Sequence, residues 1–481
     1  MTEEEFDSPF TFFQNLSCLL KIQVQKRDNF KIIEYVRLAP MPLANHSHIG
    51  EYVSIMTLSH GIALGWLSPI AAHLASDKTP LEEKLNVYQA SWVGSLIAIG
   101  AFFSNIFTGI PLYYCGRKPV MYFLAFPHAI HWILIYFATS VTYLYVARFL
   151  AGMTGGSILI VFPIFVSEIA DTNIRGALTS TIICATSTGV LLGFTLGHFL
   201  DYSVLPCIML LLPLIYLASI TFLPETPLFL IRAGKTEKAE KSFYFYKNLS
   251  DEDAETKKQF KEFEEGHSIV VEQVSVSDYC NKEAWKAYGL IYVLLFTHQM
   301  SGNFAIITYA TTIFKHLNND FHVNLSAIGL GVSQLLGMMI AIVLVDRVGR
   351  RILLLSSMAG MAAGELTIVC LKYFASMQFL KEHGWFGLVT MCLISLIAGI
   401  GVGSLTFLVV VELLPHKIIS IGCSMCMVQL SIFAFMTLKI YPVMIEEHGL
   451  GPTMLMSASV LLVALTILGI FLPETKNKKL A

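Results

Sequence analysis

The sequence has little charge for its length. Of its 481 residues only 14% are Asp, Glu, Lys or Arg, whereas 55% are apolar, and the mean hydropathy is +0.65. Soluble globular chains carry about 25% charged residues, so this composition excludes an ordinary water-soluble domain. The formal net charge of −2 at pH 7 also argues against nucleic acid as a partner, because nucleic-acid binding requires a concentrated basic surface.

Signatures of enzymes, metal sites and disulfide frameworks are missing as well. The sequence has no HExxH or GxSxG motif, and the AGKT at 233–236 is not a phosphate-binding loop because Phe229 stands where its first glycine is required. Most of the nine cysteines lie in apolar runs, including the CxxC pair Cys423 and Cys426, which indicates buried thiols. We therefore expect neither an enzyme nor a cofactor or metal site.

What the sequence has instead is long apolar runs. A membrane-spanning helix needs about 20 apolar residues, and twelve segments approach or exceed that length. The pattern predicts an all-α membrane protein with twelve transmembrane helices in a lipid bilayer. The predicted segments are 52–75, 88–110, 119–138, 141–167, 177–200, 204–223, 286–310, 325–345, 352–371, 385–411, 420–440 and 452–472.

Basic residues are distributed unevenly between the two sides of such a bundle. The tails and one set of alternate loops carry 25 of the 32 Lys and Arg residues, and the other loops carry six. Because basic residues accumulate in cytoplasmic loops, we expect both termini in the cytoplasm and the protein in the plasma membrane.

The first 50 residues lack a long apolar core, so we expect no cleaved signal peptide. Of the Asn-x-Ser/Thr sequons, only the one at Asn324 would face outward.

Three short motifs occur twice in the same order. GRK at 116–118 recurs as GRR at 349–351, an apolar segment ending at Glu168 recurs as one ending at Glu412, and LPET at 223–226 recurs at 472–475. The repeat predicts two pseudo-symmetric six-helix bundles, 51–223 and 286–472, as in secondary transporters that bind substrate between repeats. The segments 1–50, 224–285 and 473–481 are then cytoplasmic, and 224–285 is a helical linker with alternating acids and bases.

The chain resembles the sugar porter family of the major facilitator superfamily. The resemblance covers about residues 50–476, and the segments SHGIALGWLSP (59–69) and SGNFAIITYATTIF (301–314) are most similar to insect facilitated trehalose transporters. It implies the major facilitator fold and alternating-access transport of a sugar, such as trehalose, glucose or another mono- or disaccharide, by a monomer. The motifs that carry it are GRK (116–118), FPIFVSEIADTNIRG (162–176), PETP (224–227), HQMSG (298–302), DRVGRR (346–351), VELLP (411–415) and PETK (473–476).

Charges at the ends of the apolar segments are candidates for a gate. Glu168 and Glu412 each end a long helix, where the negative end of the helix dipole disfavours an acid unless a cation lies nearby. The resemblance implies cytoplasmic ion-pair networks that hold the halves together in one state, although basic loop residues also have a simpler topological explanation. Three positions depart from the family pattern. Tyr113 stands where the family has an acid or an amide, and Leu228 and Ile419 stand where it has arginines. The predicted gate residues are Glu168, Arg117, Arg175, Glu412, Asp346, Arg347, Arg350, Glu225 and Glu474.

A dense polar cluster in the seventh segment is the candidate sugar site. Sugars require amides, hydroxyls and aromatic rings in a largely apolar cavity, although hydrogen bonding between membrane helices is an alternative role for such residues. By resemblance, Gln299 and Gln334 are sugar-binding amides. Asn303 lies one position away from the family's usual asparagine, and a shift of one residue turns a helical side chain by about 100°. The predicted substrate-binding residues are Gln299, His298, Asn303, Tyr309, Gln334, Phe407, Thr406 and Trp66.

The positions of acidic residues in the apolar segments indicate whether transport is coupled to protons. A proton symporter needs a titratable group within the membrane, but the first apolar segment contains no Asp or Glu, so that Arg148 lacks an acidic partner there. We therefore predict facilitated diffusion. The alternatives are a proton-coupled symporter, for which His60 and Glu365 are candidate groups, and a sugar sensor of the same fold that does not transport.

Overall fold

The structure is a computed structural model that describes residues 43–249, 254–268, 281–317, 322–376, 378, 383–415 and 418–475. In this part of the chain the regular secondary structure is helical. Twelve of the described helical segments are long and apolar enough to cross a membrane, which confirms the predicted fold class. In order these spans are Gly50–Leu74, Val87–Tyr114, Arg117–Tyr136, Val141–Ile169, Ser180–Phe199, Val204–Thr221, Ala284–Thr308, Val323–Val345, Arg350–Phe374, Gly384–Leu413, Gly422–His448 and Leu450–Phe471.

Several spans consist of more than one helix. The eleventh span runs to His448, beyond the predicted end at residue 440, so that Lys439 lies inside the span rather than at its end. The helices that form the spans are Leu43–Gly65, Leu67–Leu74, Val87–Phe107, Gly109–Tyr114, Arg117–Tyr136, Val141–Ile169, Thr172–Phe199, Val204–Met209, Leu211–Thr221, Lys282–Met300, Asn303–Thr308, Val323–Val348, Arg350–Phe374, Gly384–Ile400, Val402–Leu413, Ile419–His448 and Leu450–Phe471. The short helix Ala310–His316 follows the seventh span.

The spans pack in the same way in both halves. Span 1 packs on span 5 as span 7 packs on span 11, and span 2 packs on span 4 as span 8 packs on span 10. Glycines permit close approach, since a Cβ at Gly61 would lie 2.1 Å from the Thr186 carbonyl oxygen and one at Gly337 would lie 2.2 Å from the Leu396 carbonyl oxygen. The two bundles meet where span 2 packs on span 11 and span 5 packs on span 8.

The seventh and tenth spans are each broken at a glycine. Gly302, with φ of +75°, separates Lys282–Met300 from Asn303–Thr308, and Gly401 separates the two helices of the tenth span. A broken helix leaves backbone groups and side chains free to point into a cavity. These breaks position the polar cluster of the seventh span.

Three helices outside the membrane connect the bundles, and they are Pro227–Arg232, Thr236–Lys247 and Ala254–Ser268. Phe243 and Phe260 pack together at the centre of their small apolar core. Burial raises the pKa of the Tyr246 phenol well above its usual value, and its hydroxyl donates to the Pro224 carbonyl oxygen at 2.6 Å. We call the end of the bundles that carries these helices the linker side, and the other end the opposite side.

Candidate substrate pathway and its gates

A buried ion pair lies at the linker side of the N-terminal bundle. Arg117 Nη2 and Glu168 Oε1 are 2.5 Å apart, and their side chains are only 8% and 6% exposed. The second carboxylate oxygen of Glu168 accepts a hydrogen bond from the Thr226 hydroxyl at 2.7 Å. Glu168 therefore has a cation and a donor at the end of its helix, where the helix dipole alone would disfavour it.

The carboxylate of Glu225 caps the neighbouring helix. It accepts hydrogen bonds from the backbone N–H groups of Arg117 and Lys118, each at 3.0 Å. These are among the first amides of Arg117–Tyr136, which have no partner within the helix. A Cβ at Gly116, where φ is +102°, would lie 2.3 Å from Glu225, so only glycine fits this turn.

The C-terminal bundle repeats this arrangement. Arg350 Nε lies 3.4 Å from Glu412 Oε1, and Glu474 accepts the backbone N–H groups of Arg350 and Arg351 at 3.1 and 3.2 Å. Gly349 takes the place of Gly116, with φ of +97°. The second cluster is more open, because the Arg350 and Glu412 side chains are 16% and 21% exposed.

Each of these two linker-side clusters lies within its own bundle. The structure brings together six of the predicted gate residues, Arg117, Glu168, Glu225, Arg350, Glu412 and Glu474. Arg347 is exposed. The side chains of Arg175 and Asp346 lie outside the described residues.

The opposite side has a second set of polar contacts, and these join the bundles. Lys439 Nζ in the eleventh span donates to Ser91 Oγ in the second at 2.8 Å and lies 4.0 Å from the centre of the Trp92 ring. The Tyr88 hydroxyl donates to Glu447 Oε1 at 2.7 Å. Sequence reasoning missed this contact region, which we call the opposite-side seam, although a lysine interrupting an apolar run was the available signal.

The seam continues through other pairs of spans. Between span 1 and the helix Ala310–His316, which follows span 7, the Thr311 hydroxyl donates to the Ser68 carbonyl oxygen at 2.5 Å. Between spans 5 and 8, the Asn324 amide lies 3.1 Å from His198 Nδ1. Asn105 extends the contacts between spans 2 and 11 toward the linker side, donating to Ser431 Oγ at 3.0 Å.

The polar cluster of the seventh span faces the tenth. The His298 ring lies 5.4 Å from the Phe407 ring, edge to face, and the Asn303 amide nitrogen lies 3.9 Å from where a Cβ on Gly403 would stand. Among the described residues three buried polar atoms here have no hydrogen-bond partner, and they are His298 Nδ1, Gln299 Oε1 and Asn303 Oδ1. Gln334 Oε1, in the eighth span, is also buried without a described partner. Buried polar atoms are nearly always paired, so these atoms are suited to bind the hydroxyl groups of a ligand.

Comparisons with known proteins agree with this geometry. A family described as "Sugar (and other) transporter" matches residues 55–481. The chain belongs to this sugar transporter family. It is 27% identical over 430 residues to the facilitated trehalose transporter Tret1 of Aedes aegypti, an alignment that covers 89% of this chain and 53% of that protein. Tret1 of Bombyx mori is 27% identical over 440 residues, with 89% of this chain and 84% of that protein covered.

Solved structures show the same fold. The partially occluded inward-open xylose transporter XylE of E. coli superposes with a TM-score of 0.73 at 18% identity, covering 90% of this chain and 99% of that one. The expected major facilitator fold is thereby confirmed. The chain spans about half of the Aedes aegypti relative.

Two predicted sugar-binding residues, Tyr309 and Thr406, have hydrogen-bond partners in the protein, and a third, Trp66, packs against another ring although its indole N–H has no described hydrogen-bond partner. The Tyr309 hydroxyl donates to the Leu438 carbonyl oxygen at 2.8 Å, and the Thr406 hydroxyl donates to the Val402 carbonyl oxygen at 2.7 Å. Trp66 is fully buried and packs edge-on against Trp132, with ring centres 6.4 Å apart. The cluster around Gly302 consists of His298, Gln299 and Asn303, with Phe407 facing it.

Two further ionisable residues are buried in the candidate membrane spans. Arg148 is 1% exposed and donates to the carbonyl oxygens of Val93 and Ala63 at 3.0 and 2.6 Å. Glu365 in the ninth span is 0% exposed, and neither of its oxygens has a hydrogen-bond partner among the described residues. Arg148 thus connects spans 1, 2 and 4 through backbone oxygens.

Proposed function

We propose that this protein carries a sugar across the plasma membrane by alternating access, as a facilitator and as a monomer that binds no nucleic acid. The observation that carries the proposal is the group of unpartnered amide and imidazole atoms at the break of the seventh span, beside an aromatic ring of the tenth. Such a site offers the hydrogen bonds and the apolar face that sugars require. Trehalose is the first candidate because the relatives are named trehalose transporters.

The distribution of basic residues supports a cytoplasmic linker side and cytoplasmic termini. The opposite-side seam then closes the extracellular face, and the structure corresponds to an inward-facing state. The partially occluded, inward-open conformation of the superposed XylE is consistent with this assignment. Asn324 remains unglycosylated in this proposal, because its amide contacts His198 within the seam.

The two sides of the protein take different parts in the cycle. Opening outward requires that the seam contacts between the bundles break, including those of Lys439 and of Thr311. In exchange, the linker-side surfaces of the bundles approach each other. The buried clusters of Glu168 and Glu412 keep these surfaces rigid, so that each bundle rocks as one body.

Facilitated diffusion is supported by the surroundings of Arg148. Its described hydrogen bonds go to backbone oxygens rather than to a carboxylate, so its contacts do not depend on a protonation step. A coupled transporter needs a group whose proton affinity changes with substrate binding. Transport should therefore equilibrate the sugar without moving protons.

Uptake into liposomes reconstituted with the protein tests this proposal. We expect labelled trehalose to equilibrate at the same rate with and without a pH gradient, and the Gln299→Leu variant to take up less. Gln89→Leu is the matched control, because it makes the same change of side chain at a helix cap on the membrane edge, away from the polar cluster. Accumulation driven by a pH gradient would establish symport, and sugar binding without uptake would establish a sensor.

A further inference from the structure

A groove lies between the eighth and tenth spans on the outer surface of the C-terminal bundle. Its volume is about 470 Å³, and Leu325, Val389 and Leu393 are among the residues that line it. The side chains of these three residues are 48%, 44% and 51% exposed. Because both helices are candidate membrane spans, the groove opens to the hydrocarbon of the bilayer, and an apolar ligand is the kind of molecule that can enter it.

The groove exists because the two helices diverge toward the opposite side. A Cβ at Gly337 would lie 2.2 Å from the Leu396 carbonyl oxygen, so the backbones of the two spans touch there. About two turns nearer the start of the eighth span, the nearest atom to a Cβ at Gly329 would be Cys392 Sγ, at 3.8 Å. The gap between the spans therefore has room for part of another molecule beside Gly329.

The walls of the groove are small and apolar, and they carry no strong charge. Two of the lining residues are serines, and their hydroxyls bond to their own helix: Ser326 Oγ donates to the His322 carbonyl oxygen at 3.3 Å, and Ser333 Oγ donates to the Gly329 carbonyl oxygen at 2.9 Å. The described lining residues include no Lys, Arg, Asp or Glu. The imidazole of His322, which directly precedes the helix Val323–Val348, is the polar group at the opposite-side end of the groove.

The length of the groove matches one leaflet of a bilayer. Its lining residues on the eighth span run from His322 to Ser333, which corresponds to about 16 Å along a helix. Half of the hydrocarbon core of a bilayer is about 15 Å thick. The groove therefore fits a lipid with an apolar body one leaflet long and a polar end at the membrane edge.

The charges of the groove distinguish between two classes of lipid. A phospholipid headgroup carries a phosphate, for which strong cationic partners such as Lys or Arg are suited, and the described lining residues provide neither. A sterol has a rigid apolar ring system and a single uncharged hydroxyl, for which one imidazole is a sufficient hydrogen-bond partner. The lining therefore favours a sterol.

We propose that this groove binds a sterol, with the ring system against Gly329 and Cys392 and the hydroxyl at His322. The sterol fills the gap between the eighth and tenth spans and thereby stabilises the C-terminal bundle, because a ligand that binds the folded state raises its stability. The site lies outside the proposed sugar pathway, and its occupation does not require that the protein transports sugar.

Photolabelling of the full chain in phosphatidylcholine nanodiscs tests the site. A photoactivatable cholesterol analogue should label peptides from 323–348 and 384–400, and unlabelled cholesterol should compete whereas added phosphatidylcholine should not. Gly329→Leu fills the gap and should reduce this labelling about tenfold or more. Gly289→Leu, at an exposed glycine of the seventh span where a Cβ also meets open space, is the matched control and should keep it.

The orientation of the sterol is tested by His322→Leu. Loss of one hydrogen bond should raise the cholesterol concentration needed for half-maximal competition about fivefold, without moving the label to other peptides. An unchanged concentration would contradict the placement of the hydroxyl. The melting temperature should rise with cholesterol in the unaltered protein and in Gly289→Leu, and it should not rise in Gly329→Leu.

Other outcomes would overturn the proposal. Label spread evenly over the lipid-facing spans, or equal labelling of Gly329→Leu and Gly289→Leu, would show that the groove is not a site. Competition by phosphatidylcholine as effective as that by cholesterol would show that an acyl chain occupies it. Should Gly329→Leu not fold, Cys392→Leu on the facing wall takes its place. None of these measurements depends on sugar uptake, so the sterol site and the proposed function fail separately.

Discussion

Lys439 allows the strength of the opposite-side seam to be tested. Its ammonium group donates to Ser91 and lies over the Trp92 ring, so one side chain of the C-terminal bundle contacts two residues of the N-terminal bundle. We expect Lys439→Met to favour the state in which the seam is open. The substitution keeps the apolar stem, which contributes to packing, and removes the charge.

The magnitude follows from the two contacts. A cation over an aromatic ring contributes about 0.5–2 kcal/mol, and a hydrogen bond from a charged group contributes about 1.5–3 kcal/mol. Because Lys439 is partly exposed, the lower ends of these ranges apply, and together they give about 2 kcal/mol. The ratio of open to closed seams should therefore rise by a factor of about 30.

Spin-label distances across the seam measure this ratio. Labels on cysteines introduced at Asp77 and His448, in a background without native cysteines, report on the loops of the two bundles. Lys439→Met should increase the population at the longer distance, Lys439→Arg should largely keep the original distribution, and the exposed Lys78→Met is the matched control. An unchanged distribution for Lys439→Met would contradict the conclusion that the Lys439 contacts stabilise the closed seam.

Three other substitutions have defined outcomes. Glu225→Gln should lower the thermal stability of the purified protein by about 1–3 kcal/mol, because an amide has one oxygen to accept the two N–H groups that cap Arg117–Tyr136; the exposed Glu83→Gln is the control, and equal melting of both variants would contradict the capping role. Gly302→Ala should abolish most uptake while Gly289→Ala, where a Cβ meets open space, should not; wild-type uptake by Gly302→Ala would show that the break is dispensable. Asn324→Gln should leave the mass of protein from a glycosylating host unchanged, since its amide lies in the seam, whereas a loss of mass would reveal a glycan.

Much of the fold follows from features that are local in sequence. A span is a run of apolar residues about 20 long, so its existence can be predicted without knowing its neighbours. The linker-side clusters could be predicted too, because Gly116 and Gly349 mark turns and Glu168 and Glu412 mark helix ends in matching positions. Their atomic similarity follows from the internal repeat.

The seam and part of the sugar site could not be predicted in this way. The predicted eleventh segment ends one residue after Lys439 because a charge shortens an apolar window, whereas the helix continues to His448 and buries part of the side chain. Tyr309 and Leu438 are 129 residues apart in the chain, and their contact depends on how two helices are rotated about their axes. Helical periodicity gives the face of a side chain but not the partner that it meets.

Uptake of labelled trehalose into liposomes, measured with and without an imposed pH gradient, tests the central claim most directly. The account predicts equilibration without accumulation, at a rate independent of the gradient and strongly reduced in Gln299→Leu. Accumulation above equilibrium when the outside is acidic, or binding of sugar without any uptake, would contradict it.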